Sequence, residues 1–365
     1  MKLNTIQMLR ALAALLVVYT HSITQMGIYA PGWTQHAPIS ISFGTFGVDL
    51  FFVISGFIIY HSAERLNSRT SALSFLWHRF RRINPAYYAA VLLTVITWIP
   101  SLVRHQRSAI TARQLLSWTI LLPVPGDPDP ALTQSWTLSF EWFFYLLFFL
   151  LILIGVQKKA GIFCWLLGGL TFFGWLLRNH LTGLWTFYMD PLLLEFLLGV
   201  VIGFVYRRWN PGNLTALCLL VPGIVLGLLI MLTGYGNYLA VLNPPPVLRY
   251  IHALCWGSAA ALIVAGCVFL EKNRTAVFFL RHPLIRLLGD ASYSIYLFHF
   301  IVLGLIAFLY LRVGLFLNPY VAVPIHATIA VAGSLLFYKW VEQPLMGWLK
   351  RYDTVRYPPP RPAKP

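Results

Sequence analysis

The feature that most constrains this chain is a series of apolar runs, each about 18–20 residues long, that recurs along nearly its whole length. A helix needs about 20 mainly apolar residues to cross a ~30 Å hydrocarbon core, where every backbone polar group must bond within its own segment. Such a chain folds as a bundle of membrane-spanning helices. Composition agrees: 58% of the 365 residues are hydrophobic and 10% are charged, against about 25% charged in average soluble domains. So few charges cannot cover a water-soluble body of this size. A soluble enzyme, a disordered chain and a nucleic-acid-binding protein are excluded.

The expected architecture is all-α: a polytopic membrane protein of about ten transmembrane helices with no soluble domain. The spans read as 5–25, 43–62, 85–103, 136–156, 161–177, 190–206, 214–232, 250–270, 291–311 and 320–340. Residues 1–345 form the transmembrane domain, and 346–365 a Pro-rich, disordered tail. Lys2, Arg10 and the run Ala11 to Thr20 also fit a signal peptide. Ile6, Met8 and Leu9, however, extend the apolar pattern past Arg10.

Lys and Arg collect on the cytoplasmic side of inner-membrane proteins. With the N-terminus inside and the chain alternating, 21 of the 27 basic residues fall inside and 6 outside. The net charge of +16 is therefore mostly topology, and both termini are placed in the cytoplasm. Residues 63–84 form a basic inner segment. Residues 104–135 form an outer loop whose apolar stretch Leu115 to Leu122 is too short to span. Cys164, Cys218, Cys255 and Cys267 lie in apolar runs without metal-site spacing and read as free thiols.

An intramembrane charge costs about 2.5–3.5 kcal/mol on insertion scales, so each needs a reason. Of the 11 acids, Glu64, Asp127, Asp129, Glu271 and Asp353 read as solvated. Asp49, Glu141, Asp190, Glu195, Asp290 and Glu342 fall within or at the edges of spans. Arg10 and His21 are eleven residues apart, three helical turns or roughly 16 Å, and share one face. Singly they read as a snorkelling anchor and an interhelical hydrogen bond; together they read as a polar column. Asp49 is expected level with His21, holding its tautomer as a general base requires, or else capping its helix. Glu141, Asp190 and Glu195 are expected at that same outer level. Arg79 and Arg82, at i and i+3 after His78, suit a phosphate-bearing ligand or simple positive-inside topology. Tyr293, Tyr296 and His299 share a helical face, as a substrate contact or a polar seam.

Six segments in order resemble the acyltransferase-3 family of membrane acyltransferases: Arg10 to His21, GVDLFFVISGF at 47–57, the Arg79–Arg82 pair before Pro85, SWTLSFEWFFY at 135–145, ASYSIYLFH at 291–299, and VEQP with Glu342 and Pro344. The start and the TLSFEWFFY and LEFLLG stretches are similar to the exopolysaccharide branch. Thr137 and Phe140 depart from the commoner family pattern. The resemblance implies an O-acyltransferase of the inner membrane that uses acyl-CoA, with acetyl-CoA as donor co-substrate. Its acceptor would be a hydroxyl of an exopolysaccharide, lipopolysaccharide or other cell-surface glycan. It further implies essential His21 and Arg10, a donor site at Arg79 and Arg82, membrane lipids and polysaccharide-synthesis proteins as partners, and no metal or nucleic acid. His21 serves as general base or transient acyl carrier, oriented or charge-balanced by Asp49 and Glu141, with Arg10 along the donor path. A glycan-lipid transporter and a structural subunit of an export complex are the alternatives.

Overall fold

The computed structural model describes residues 3–27, 38–62, 69–103, 109–122, 130–157, 159–235, 245–274, 282–314 and 317–352. All regular structure in them is helical. The helices are α1 (Asn4–Met26), α2 (Pro38–Ser62), α3 (Arg69–Val103), α4 (Ala112–Ile120), α5 (Trp136–Leu153), α6 (Ala160–Leu176) and α7 (Leu184–Tyr188). There follow α8 (Leu193–Arg208), α9 (Asn213–Thr233), α10 (Pro246–Lys272), α11 (Pro283–Asp290), α12 (Ser292–Val313), α13 (Pro319–Phe337) and α14 (Gln343–Leu349). A π-helical turn, Tyr338–Glu342, joins the last two.

Local chemistry sets many of these ends. Proline opens α10, α11 and α13, where its missing N–H has no intrahelical partner to lose. Gly234 and Gly314 close α9 and α12 at φ 64° and 68°, a conformation that suits glycine. Thr111 and Gln114 form a capping box on α4, and Leu121 stops it after 9 residues. The stretch expected to fall short of spanning is thus a short helix, anchored by Trp118 against Trp98.

The protein is a polytopic membrane protein: eight helices are long and apolar enough to cross a bilayer among the described residues. The two other expected spans fall on α6 and on the second half of α3. The 17 residues of α6 reach about 26 Å at 1.5 Å per residue. Exposed Trp165, Leu214, Leu229 and Leu311 present hydrocarbon to lipid rather than to water. Helix structure continues to Tyr352, so part of the segment expected as a disordered tail is ordered; the rest of it, with Glu64, Asp127 and Asp129, lies outside the described residues.

Two close contacts set the geometry around the polar groups. Helices α1 and α2 run antiparallel, with Gly44 against Thr20 and Gly47 against Ala13. Helices α2 and α8 cross at Gly56 and Gly199, where a Cβ would stand 2.1 Å from the carbonyl oxygens of Phe196 and Val53 respectively. Only glycine lets the two backbones meet there.

One acid departs from its expected setting. Glu271, read as solvated, is buried at the end of α10. It accepts from the backbone N–H groups of Asn4 and Thr5 at 2.7 and 2.9 Å, and from both their side chains. It caps α1 from another helix. In sequence it follows the expected span 250–270, as an ordinary loop acid would.

Candidate active site

A cavity of about 360 Å³ opens between α1, α2, α3, α5 and α12. Arg10, Arg79, Arg82, Glu141, Tyr293 and Tyr296 all line it. Helix α3 is continuous through Pro85, so Arg79 and Arg82 do share a face as their i, i+3 spacing requires. They also line a second cavity of about 330 Å³ with His78, Arg81 and Met346. The guanidinium of Arg79 lies 5.2 Å from the ring centres of both Phe75 and Tyr145, a cation–π placement that leaves its N–H groups for other acceptors. Buried Nη2 of Arg82 has no hydrogen-bond partner.

Two acids line the cavity, Glu141 and Asp290; Glu141 is the one held by α2 and α5. Ser55 donates to its Oε1 at 2.9 Å, and the Tyr145 hydroxyl donates to the same oxygen. This corrects its expected level. Ser55 is eleven residues beyond Gly44, which faces Thr20, so Glu141 stands about 16 Å along α2 from the level of His21. It belongs with the arginines.

His21 finds a different neighbour. Its Nδ1 is 2.9 Å from Nε2 of His299, and the rings stack at 5.1 Å. The Nδ1 of His299 is 2.9 Å from the carbonyl oxygen of Ile295. A carbonyl only accepts, so in the neutral ring that nitrogen carries the hydrogen and Nε2 carries the lone pair. His21 Nδ1 then donates to His299 Nε2, which leaves the lone pair of His21 on Nε2. Tyr296 links this pair to the cavity: it lines the cavity, its ring centre is 6.3 Å from that of His299, and its hydroxyl is 2.8 Å from Thr137 Oγ1. The Tyr293 hydroxyl donates to the Ile83 carbonyl at 2.8 Å, tying α12 to α3. Glu342, in the π-helical turn, accepts from Ser294.

The remaining expected acids do not converge on His21. Asp49 lies five residues past Gly44, about 8 Å beyond the His21 level, and its Oδ1 pairs with His252 Nε2 at 2.9 Å. Glu195 joins that pair. Asp190 accepts from the Leu192 N–H at 2.9 Å and from Arg249 at 3.0 Å, fastening the start of α8 to α10. His252 was not singled out in the sequence, because the run that follows Arg249 and Tyr250 is apolar and no acid shares the helix face of His252.

The fold is an all-helical membrane bundle with a cationic cavity and a nearby histidine pair, and sequence comparison identifies its class. Residues 3–339 match the family model described as "Acyltransferase domain". The chain belongs to this acyltransferase family and is a membrane acyltransferase. It is 31% identical to the exopolysaccharide production protein ExoZ of Rhizobium meliloti, over 74% of this chain and 80% of that protein. It is 27% identical to the acyltransferase MdmB of Streptomyces mycarofaciens, covering 83% and 79%. It is also 26% identical to the peptidoglycan O-acetyltransferase OatA of Listeria monocytogenes, covering 72% of this chain but 45% of that one. No solved structure matches.

Proposed function

We propose that this protein is a bacterial inner-membrane O-acetyltransferase that moves an acetyl group from cytoplasmic acetyl-CoA to a hydroxyl of an exopolysaccharide or related cell-surface glycan. The observation that carries this reading is the pairing of a cavity lined by Arg10, Arg79 and Arg82 with a histidine whose hydrogen bonds leave Nε2 as a base. The names of ExoZ and OatA support the glycan as acceptor. In this reading the transmembrane domain extends over 1–345 with both termini in the cytoplasm. Arg79 and Arg82 face the donor's phosphates across the two adjoining cavities. Arg10 lies along the acyl arm, and Glu141, held by Ser55 and Tyr145, balances the three guanidiniums.

The chemistry needs one proton acceptor. His21 Nε2 takes the acceptor's hydroxyl proton as that oxygen attacks the thioester carbonyl. The C–S bond breaks, and the CoA thiolate leaves with the proton returned to it. His299 holds His21 in the tautomer this requires. Asp49 is assigned no part in orienting His21, since it bonds to His252. A transient acetyl on the same nitrogen is the second route; label retained on the protein after rapid quench with radioactive acetyl-CoA distinguishes it. Purified protein in detergent, given labelled acetyl-CoA and glycan from a deletion strain, should form acetylated glycan. Movement of glycan lipid across liposomes without acetyl transfer would establish the transporter reading instead.

A further inference from the structure

Three ionisable side chains that the acyl-transfer reading does not use meet where α2, α8 and α10 pack together. Asp49, Glu195 and His252 are each 0% exposed. Asp49 Oδ1 is 2.9 Å from His252 Nε2, and one ligand atom from each of the three lies within 4.8 Å of the others. Neither oxygen of Glu195 accepts from a donor group, nor does Oδ2 of Asp49, and the two carboxyl groups face each other within hydrogen-bond reach. The approach is built into the backbone. On α10, Gly257 leaves room for Glu195, whose Cγ would be 2.8 Å from a Cβ at that position. Trp256 stacks on the His252 ring at 5.1 Å and 9°. The nearby Arg249 is engaged with Asp190 at 3.0 Å.

Charge decides what such a pocket holds. Two carboxylates and an imidazole sealed from water cannot all be ionised without a compensating charge. A divalent cation with two carboxylates and a neutral imidazole sums to zero. The donor set of two oxygens and one nitrogen is one that zinc accepts at about 2.0–2.2 Å, in a compact shell of few ligands. Magnesium, which keeps several waters, suits a sealed pocket poorly. Ligands of a tetrahedral zinc shell stand about 3.4 Å apart, so side-chain atoms that now lie within 4.8 Å of one another close on an ion by shifts of up to about 1.4 Å, within the range of a side-chain adjustment.

We propose that Asp49, Glu195 and His252 form a buried divalent-cation site of the zinc type that pins α2, α8 and α10 together. His252 Nε2 exchanges its contact with Asp49 for a bond to the ion. The proposal is independent of the acetyl-transfer reading, because its readout is the metal itself. Full-length protein purified in detergent from zinc-supplemented cells should carry about one zinc per chain after gel filtration, measured by elemental analysis. Chelation should lower its unfolding temperature and added Zn²⁺ should restore it. Glu195→Gln, close in shape, and His252→Ala should lose the metal and the Zn²⁺ response, while Arg79→Gln keeps both. Wild-type protein that elutes without zinc and shows no gain in unfolding temperature with Zn²⁺ overturns the proposal, whatever the variants do. So does a metal-free wild type that Glu195→Gln makes more heat-stable, for the carboxylates then share a proton.

Discussion

Around the cavity between α1, α3 and α5, buried Nη2 of Arg82 has no hydrogen-bond partner, Arg10 lines the open space, and Arg79 rests on two aromatic rings. Where α2, α8 and α10 meet, the charged groups are packed shut, with Asp49 on His252 and Asp190 on Arg249. Cations in the first region face an open space and gain most from a ligand that brings negative charge. In the second, Asp49 on His252 and Asp190 on Arg249 join helices across the bundle, and both acids are buried. Only the first has the form of a substrate site; the second has that of a clamp. The difference also divides the acids, since Glu141 goes with the arginines and Asp49 and Glu195 with the clamp.

The largest expected effect tests the reactive end of the open region. His21→Ala should abolish acetyl transfer while the protein remains membrane-inserted and monodisperse. His299→Ala should leave a residual rate, since it removes the group that fixes the tautomer and not the base. Wild-type acetylation by a well-expressed His21→Ala variant would falsify the assignment of the base. Next in size is the donor grip. A hydrogen bond to a charged group contributes about 1.5–3 kcal/mol, so Arg79→Gln with Arg82→Gln should raise the KM for acetyl-CoA by roughly tenfold to several hundredfold. The effect should shrink as salt rises. An unchanged KM would mean that the pair reports topology alone, and the contrast with the clamp would collapse.

The clamp should answer differently. Asp49→Asn keeps the shape but removes one charge from a buried pair, a change that costs about 3–5 kcal/mol when a partner is left unmatched. The expected result is a lower unfolding temperature in detergent with the KM for acetyl-CoA unchanged. A raised donor KM at unchanged stability would move Asp49 back into the substrate site.

How much of this was legible follows from what each residue's partner depends on. Spacing within one helix was enough for Arg10 and His21 on α1 and for Arg79 and Arg82 on α3, because 3.6-residue periodicity fixes a shared face. Tyr296 and His299 follow the same rule, and both turn toward His21 or the cavity. Partners on different helices were not legible. Asp49 meets His252 because the glycines at 56 and 199 bring α8 onto α2, and α10 then follows. A uniformly apolar run gives no hint of that lateral order. Glu141 was misplaced in depth for a related reason. The turn Thr133–Ser135, whose Gln134 donates to the Leu297 carbonyl at 2.7 Å, sets the start of α5 against the second turn of α12.

The smallest expected effect comes from Glu271, and it tests how cleanly scaffold and site separate. This carboxylate accepts from two backbone N–H groups and two side chains at the start of α1. Those N–H groups have no partner within the helix, and the positive end of its dipole favours an acid there. Glu271→Ala should cost about 0.5–2 kcal/mol, as other lost caps do. Hydrogen exchange should quicken in the first turn of α1. Leu3, Ile6, Gln7 and Arg10 all line the cavity, so fraying that turn should raise the donor KM slightly, well below the effect of the paired arginine changes. Glu271→Gln, which keeps an acceptor oxygen, should lie between the alanine variant and wild type. If Glu271→Ala instead matches the double arginine variant in donor KM, the first turn of α1 is part of the donor site itself, and the cavity extends to the cap.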